Sequence, residues 1–180
     1  MNPTTVRKLV YAALCLCLGL AMPWIFHLFG AVSGQIFLPM HIPVLLCGFV
    51  AGPGAGAACG AILPLLSSAL TGMPPLFPVA PAMACELAAY GFATGWLYAK
   101  WHKIYPSLLL AMAAGRLVSG LAGALFMGMA GNPYTLSIWA AGAFVTPIPG
   151  IALQLILVPA LVKALEKAGV LRGGPVSAPD

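Results

Sequence analysis

The sequence predicts an all-α integral membrane protein, a bundle of six transmembrane helices with both termini in the cytoplasm. Three observations carry that prediction. Of 180 residues, 62% are apolar and only 6% charged, whereas a soluble domain carries roughly a quarter charged residues. Mean hydropathy is +1.02, so lipid must be the solvent for most of the surface. The apolar residues run in long unbroken stretches, which selects helices over a barrel whose strands alternate. The basic residues, finally, gather on one side of the predicted loops.

The elements follow in order. Arg7 and Lys8 precede a first span over about Leu9 to Phe29. Its length and the lack of a small-residue cleavage site mark it as a retained helix, not a signal peptide. A loop with Gly30, Gly34 and Gln35 leads to a second span, Ile36 to Ala51, interrupted by Pro39 and Pro43. The turn Gly52-Pro53-Gly54 opens the third span, Ala55 to Leu70, and Thr71-Gly72-Met73-Pro74-Pro75 breaks the chain after it. The fourth span, Val79 to Ala99, ends in water at Lys100, His102 and Lys103. The fifth runs from Pro106 to Ala130, followed by the loop Gly131-Asn132-Pro133-Tyr134. Leu136 to Val145 is apolar but too short to span, so a re-entrant or interfacial piece is expected. Thr146-Pro147-Ile148-Pro149-Gly150 opens a sixth span that ends near Leu165. The membrane domain thus covers residues 1–168, and the Gly- and Pro-containing tail, 169–180, is expected to be disordered.

Six spans put both termini and the even loops on one side. That side holds Arg7, Lys8, Lys100, Lys103, Lys163, Lys167 and Arg172, every basic residue except Arg116, which lies inside a span. The positive-inside rule makes this side cytoplasmic. The Gly-Pro-Gly turn carries no charge and cannot report on its own side. The net charge of +5 is therefore explained by topology, and no nucleic-acid partner is expected.

Small residues recur at four-residue spacing: Gly52, Gly56 and Gly60; Gly91 and Gly95; Gly115, Ser119 and Gly123; Gly120, Ala124 and Gly128. Such ridges let helix backbones approach where lipid supplies no hydrophobic drive, and packing within the bundle is favoured over partner docking. The cysteines (Cys15, Cys17, Cys47, Cys59, Cys85) lie in apolar segments without metal-ligand spacing and read as small hydrophobes. No metal or cofactor is expected.

Two charges lie well inside the membrane, Glu86 and Arg116. Such residues are costly and face a cavity or one another. Glu86 is placed about 10 Å from the outer end of its span, and the levels of the two differ by only about 5 Å at the helical rise. They form either a structural ion pair or the polar walls of a ligand pocket. Further polar residues fall in the same outer half: His41 beside the prolines of the second span, Tyr90 one turn after Glu86, Asn132 and Tyr134, Thr146, and Gln154. Together they suit a small polar or zwitterionic molecule. A lone His41 beside Pro39 and Pro43 reads more often as a helix-end residue than as a ligand contact. Trp96, Tyr98 and Trp101 read as interfacial anchors, with Trp24 and Trp139 in that role on the other side. No catalytic motif is present: there is no intramembrane aspartate pair, Gly-x-Ser-x-Gly, His-Glu-x-x-His or Walker sequence. No repeated filter of an ion channel is visible.

The run Leu38-Pro39-Met40-His41-Ile42-Pro43-Val44-Leu45-Leu46-Cys47-Gly48 is followed by LPLLSSALTGMPPLFP from Leu63 to Pro78. Then come Met83-Ala84-Cys85-Glu86-Leu87-Ala88-Ala89-Tyr90-Gly91 and PGIALQLILVPALVKALEK, Pro149 to Lys167. With six short spans, these blocks resemble the substrate-binding S component of energy-coupling factor (ECF) vitamin transporters, over about residues 5–168. The resemblance implies a binding subunit in the plasma membrane that captures a vitamin or precursor at the outer face. It implies no catalysis by this chain, and partners that are a transmembrane coupling subunit and two cytosolic ATPases of an ABC-type importer. It implies a site built from spans four to six and the outer loops. It also implies docking of the coupling subunit through a small-residue ridge on the first helix, matched here by Ala13, Cys17 and Ala21, with Cys replacing Ala in the middle. Pantothenate, nicotinate, a pyridoxine-like ring and folate-type compounds are all conceivable ligands, and Arg116 favours a carboxylate or another anion. The competing reading, a self-sufficient secondary transporter, is disfavoured by the missing inverted repeat. An intramembrane enzyme would need an acid-rich motif.

Overall fold

In the computed structural model, residues 3–27 and 33–171 are described. The predicted end of the first span at Phe29, the loop residue Gly30 and the tail from Arg172 onward lie outside them. The chain is helical: α1 (Pro3–His27), α2 (Ser33–Phe37), α3 (His41–Ala51), α4 (Pro53–Thr71), α5 (Val79–Trp101), α6 (Ile104–Met129), α7 (Leu136–Ala140), a π-helical turn (Ala141–Val145) and α8 (Ile148–Lys167). Among the described residues there is no strand.

Among the described residues, five segments are long and apolar enough to cross a membrane: Thr5–Ile25, Gly34–Ala51, Pro53–Thr71, Ile104–Met129 and Ile148–Lys167. Helix α5, 23 residues long, is not among them. It carries Glu86, Tyr90, Thr94 and Lys100, and it is the central element of the bundle, packed against α3, α4 and α6. A helix surrounded by protein has less need of an apolar surface than one facing lipid. Helix α1 packs on α3 and α4, and α8 on α2, α3 and α6.

The predicted interruption of the second span is real. Helix α2 stops at Phe37, Leu38 adopts φ +50° before Pro39, and α3 begins at His41. Proline disfavours a helical residue before it and brings no amide hydrogen, so one continuous helix is not available here. The His41 amide is satisfied by the Leu38 carbonyl at 3.1 Å. The break leaves irregular backbone at membrane depth, which is tolerated where it is enclosed by protein or lines a cavity.

The glycine ridges of α4 and α5 bring these two helices into backbone contact. A β-carbon on Gly56 would lie 2.5 Å from the Gly91 carbonyl oxygen, and one on Gly48 of α3 would meet the same oxygen at 2.5 Å. One on Gly95 would lie 2.5 Å from the Pro53 nitrogen. Three helices therefore converge on one small-residue seam. Gly52 takes φ +92°, which a side chain rarely adopts, and so permits the tight turn between α3 and α4.

The small ridges of α6 serve differently. Tyr90 is seated over Gly115, Trp139 over Gly120 and Tyr134 over Gly123. They make room for aromatic rings where a helix–helix seam was expected. At the far end of the chain, hydrogen bonds from Gly169 to Glu166 and from Val170 to Leu165 close α8, and Leu171 packs against the core.

Candidate substrate-binding site

A cavity of about 520 Å³ opens where the α2–α3 break, the α4–α5 loop, the first half of α5, the second half of α6 and the α7–π segment meet. By chain direction this end is opposite to the one holding Arg7, Lys8, Lys100, Lys103, Lys163 and Lys167. Its volume lies within the roughly 300–1,000 Å³ of small-molecule sites.

The polar floor is built on the two intramembrane charges. Arg116 donates from Nη1 to Glu86 Oε1 at 2.8 Å, which joins α6 to α5. His41, at the first turn of α3, brings Nε2 to 3.6 Å from the same oxygen. Its side chain is 2% exposed, and neither ring nitrogen has a hydrogen-bond partner among the described residues. Tyr90 lies beneath this group. Its ring meets His41 edge-on at 5.2 Å and faces the Arg116 guanidinium at 6.0 Å. Nη2 of Arg116 and the Tyr90 hydroxyl are likewise buried without a partner.

Helix α6 and the segment after it fix the upper wall. The Arg116 carbonyl accepts from Ser119 Oγ at 3.1 Å and from Trp139 Nε1 at 3.2 Å. The indole therefore holds α7 against α6 and lines the cavity at the same time. Tyr134 closes the rim. Burial and the Glu86 charge push its phenol above the ordinary range, so it remains a neutral donor at physiological pH. Met40, Met73, Met83 and Met127 supply apolar wall together with Pro74 and Pro75. Methionine's unbranched, polarisable side chain adapts to irregular ligand shapes.

Of the residues singled out in the sequence, Glu86, Arg116, His41 and Thr146 all line this cavity. Tyr90 supports it from behind. Asn132 is exposed in the α6–α7 loop and is not part of the lining, although its neighbour Tyr134 is. Gln154 is fully buried on α8, away from the cavity lining, with both amide atoms unpartnered among the described residues. Trp139, read as an interfacial anchor, turns inward, as do the methionines, Gln35 and Ser119. For Met40, Met73, Met127, Gln35 and Ser119 the sequence signal was adjacency to a proline or glycine, which Met83 and Trp139 lack. On α1, Ala13, Cys17 and Ala21 lie on the exposed face together with Leu14 and Leu18.

A helical membrane bundle with a sizeable, mostly apolar cavity and a charged floor fits a membrane-embedded small-molecule binding protein. Comparison with known proteins makes this specific. Residues 7–162 match the family model described as ECF transporter, substrate-specific component, and the chain belongs to that family. It is a substrate-binding subunit of a transporter, and it works with an ECF module. Among solved structures, a crystal structure of an S-component of an ECF transporter shares the fold, with TM-score 0.54 and 20% sequence identity. The match covers 94% of this chain and 85% of that one. No curated protein sequence matches the chain significantly.

Proposed function

We infer that the chain captures a vitamin or related micronutrient from outside the cell in the cavity floored by Glu86 and Arg116. It hands this ligand to an ATP-driven module for import. The observation that carries the reading is the cavity itself: two charges, an imidazole and a phenol converge on one side of an apolar chamber of about 520 Å³. Buried charges of this kind are kept where they serve a site.

The same reading assigns six spans, with α2 and α3 together forming the second and α5 the fourth. Both termini then lie in the cytoplasm, as the basic residues at the end opposite the cavity require. The cavity faces outward in the plasma membrane. Glu86, Arg116, His41 and Thr146 contact the ligand, Tyr90 positions His41 and Arg116, and Asn132 and Gln154 lie outside the cavity lining. The exposed ridge Ala13, Cys17, Ala21 docks the transmembrane coupling subunit, and two cytosolic ATPases hydrolyse the ATP.

The test is reconstitution into liposomes with and without a coupling subunit and its two ATPases. Uptake that requires ATP and the module, and that Cys17→Trp abolishes while ligand binding persists, supports the reading. Uptake driven by a proton or sodium gradient in liposomes without the module would establish a secondary transporter instead.

A further inference from the structure

We propose that the cavity selects a ligand of zero net charge, uncharged or zwitterionic, that sets a hydrogen-bond donor and an acceptor side by side against Glu86 and Arg116. This rests on the reading of the cavity as the substrate site, and it names the chemical class that site takes.

Seen alone in the sequence, Arg116 points to an anion. The structure removes that preference. The guanidinium is 2.8 Å from the Glu86 carboxylate, so the two charges cancel within the wall. Among the described residues no other Lys, Arg, Asp or Glu lines the cavity, and its remaining polar groups (Gln35, Ser119, Tyr134, Thr146) are uncharged. His41 is almost wholly buried, and the one carboxylate near it, Glu86 at 3.6 Å, is already paired with Arg116, so a charged imidazole would add an uncompensated cation.

A monoanion could be neutralised here only by drawing Arg116 away from Glu86. That would leave a carboxylate beside the incoming anion in a poorly hydrated chamber. A monocation would strand the guanidinium in the same way. Either outcome leaves one buried charge uncompensated, the costly half of breaking a buried pair. A neutral ligand leaves the pair intact. It accepts a hydrogen bond from the part of the Arg116 guanidinium that lines the cavity and donates one to Glu86. The methionines and prolines then cover its apolar body. Discrimination between a neutral compound and its singly charged isostere is expected to reach about 100-fold.

The experiment incubates the purified full-length protein with deproteinised yeast extract, washes it, and identifies retained compounds by mass spectrometry. Recovery of a compound with no net charge at pH 7 supports the proposal. Recovery of a net anion or cation overturns it and leaves the binding function standing. Retention of nothing overturns the binding function, and the proposal with it. In a second arm, Glu86→Gln leaves a lone guanidinium in a wall of nearly unchanged shape. It is expected to bind the neutral compound at least about tenfold more weakly and to retain monoanions that the wild type rejects. A variant with the wild-type charge preference would also overturn the proposal.

Discussion

Arg116 on α6 donates to Glu86 on α5 at 2.8 Å while its guanidinium faces the Tyr90 ring at 6.0 Å. One cation thus joins two helices, caps an aromatic ring and floors the cavity. Structural pair and pocket wall, alternatives in the sequence, coincide in the same side chains.

Removing one member of the pair leaves the other buried without a counter-charge. Arg116→Met alone is expected to destabilise the protein by about 3–5 kcal/mol, and the double variant Glu86→Gln/Arg116→Met by distinctly less. Thermal unfolding in detergent measures both. Equal losses in the single and double variants would show that the two side chains do not depend on each other.

Gly91 is the tightest point of the α4–α5 seam, where an added β-carbon would press on the backbone of Gly56. Rigid backbone cannot yield as a side-chain tip does, so Gly91→Ala is expected to cost about 1–3 kcal/mol or more. Gly128, with nothing near its missing β-carbon, should tolerate the same change. Size-exclusion profiles and melting curves of the two variants compare them directly.

Trp139 reaches the Arg116 carbonyl through its indole N–H at 3.2 Å. Trp139→Phe keeps a ring but removes the donor, so α7 loses one tie to α6. A net hydrogen bond contributes about 0.5–1.5 kcal/mol, equivalent to roughly a 2- to 10-fold weakening of ligand binding. Equilibrium binding of the compound recovered from the wild type tests this. Unchanged affinity would mean that the indole does not shape the cavity.

Gln154 separates two roles cleanly. Buried without a hydrogen-bond partner among the described residues, its amide lacks compensation for lost hydration. Gln154→Met, of similar shape, is therefore expected to raise stability by about 1 kcal/mol with ligand affinity unchanged. Loss of binding in a stable variant would make Gln154 a ligand contact.

The pairing of Glu86 with Arg116 was legible because helical rise puts both at one depth, and charge inside a membrane has few other uses. The broken second span was legible from Pro39 and Pro43 for an equally local reason. The rest of the site was hidden by the solvent. In lipid, a cavity-facing Met127 and a lipid-facing Leu121 are equally apolar, so hydropathy cannot tell the inside of the bundle from its outside. Spacing identified Gly115, Gly120 and Gly123 as small, but not that Tyr90, Trp139 and Tyr134 would rest on them. Polarity singled out Asn132 and Gln154, yet which way each side chain points depends on helix rotation, which tertiary packing decides. Helix α5 shows the same limit in reverse. Its polar residues lower its hydropathy and are accommodated where it packs against α3, α4 and α6.

We propose that the chamber above Glu86 and Arg116 holds the transported molecule. Native mass spectrometry of the purified protein beside Glu86→Ala and Arg116→Ala tests it most directly. The wild type should carry one small molecule, and both variants should lose it while keeping a helical circular-dichroism spectrum and a monodisperse size-exclusion profile. A ligand retained at full occupancy in both folded variants would contradict the account.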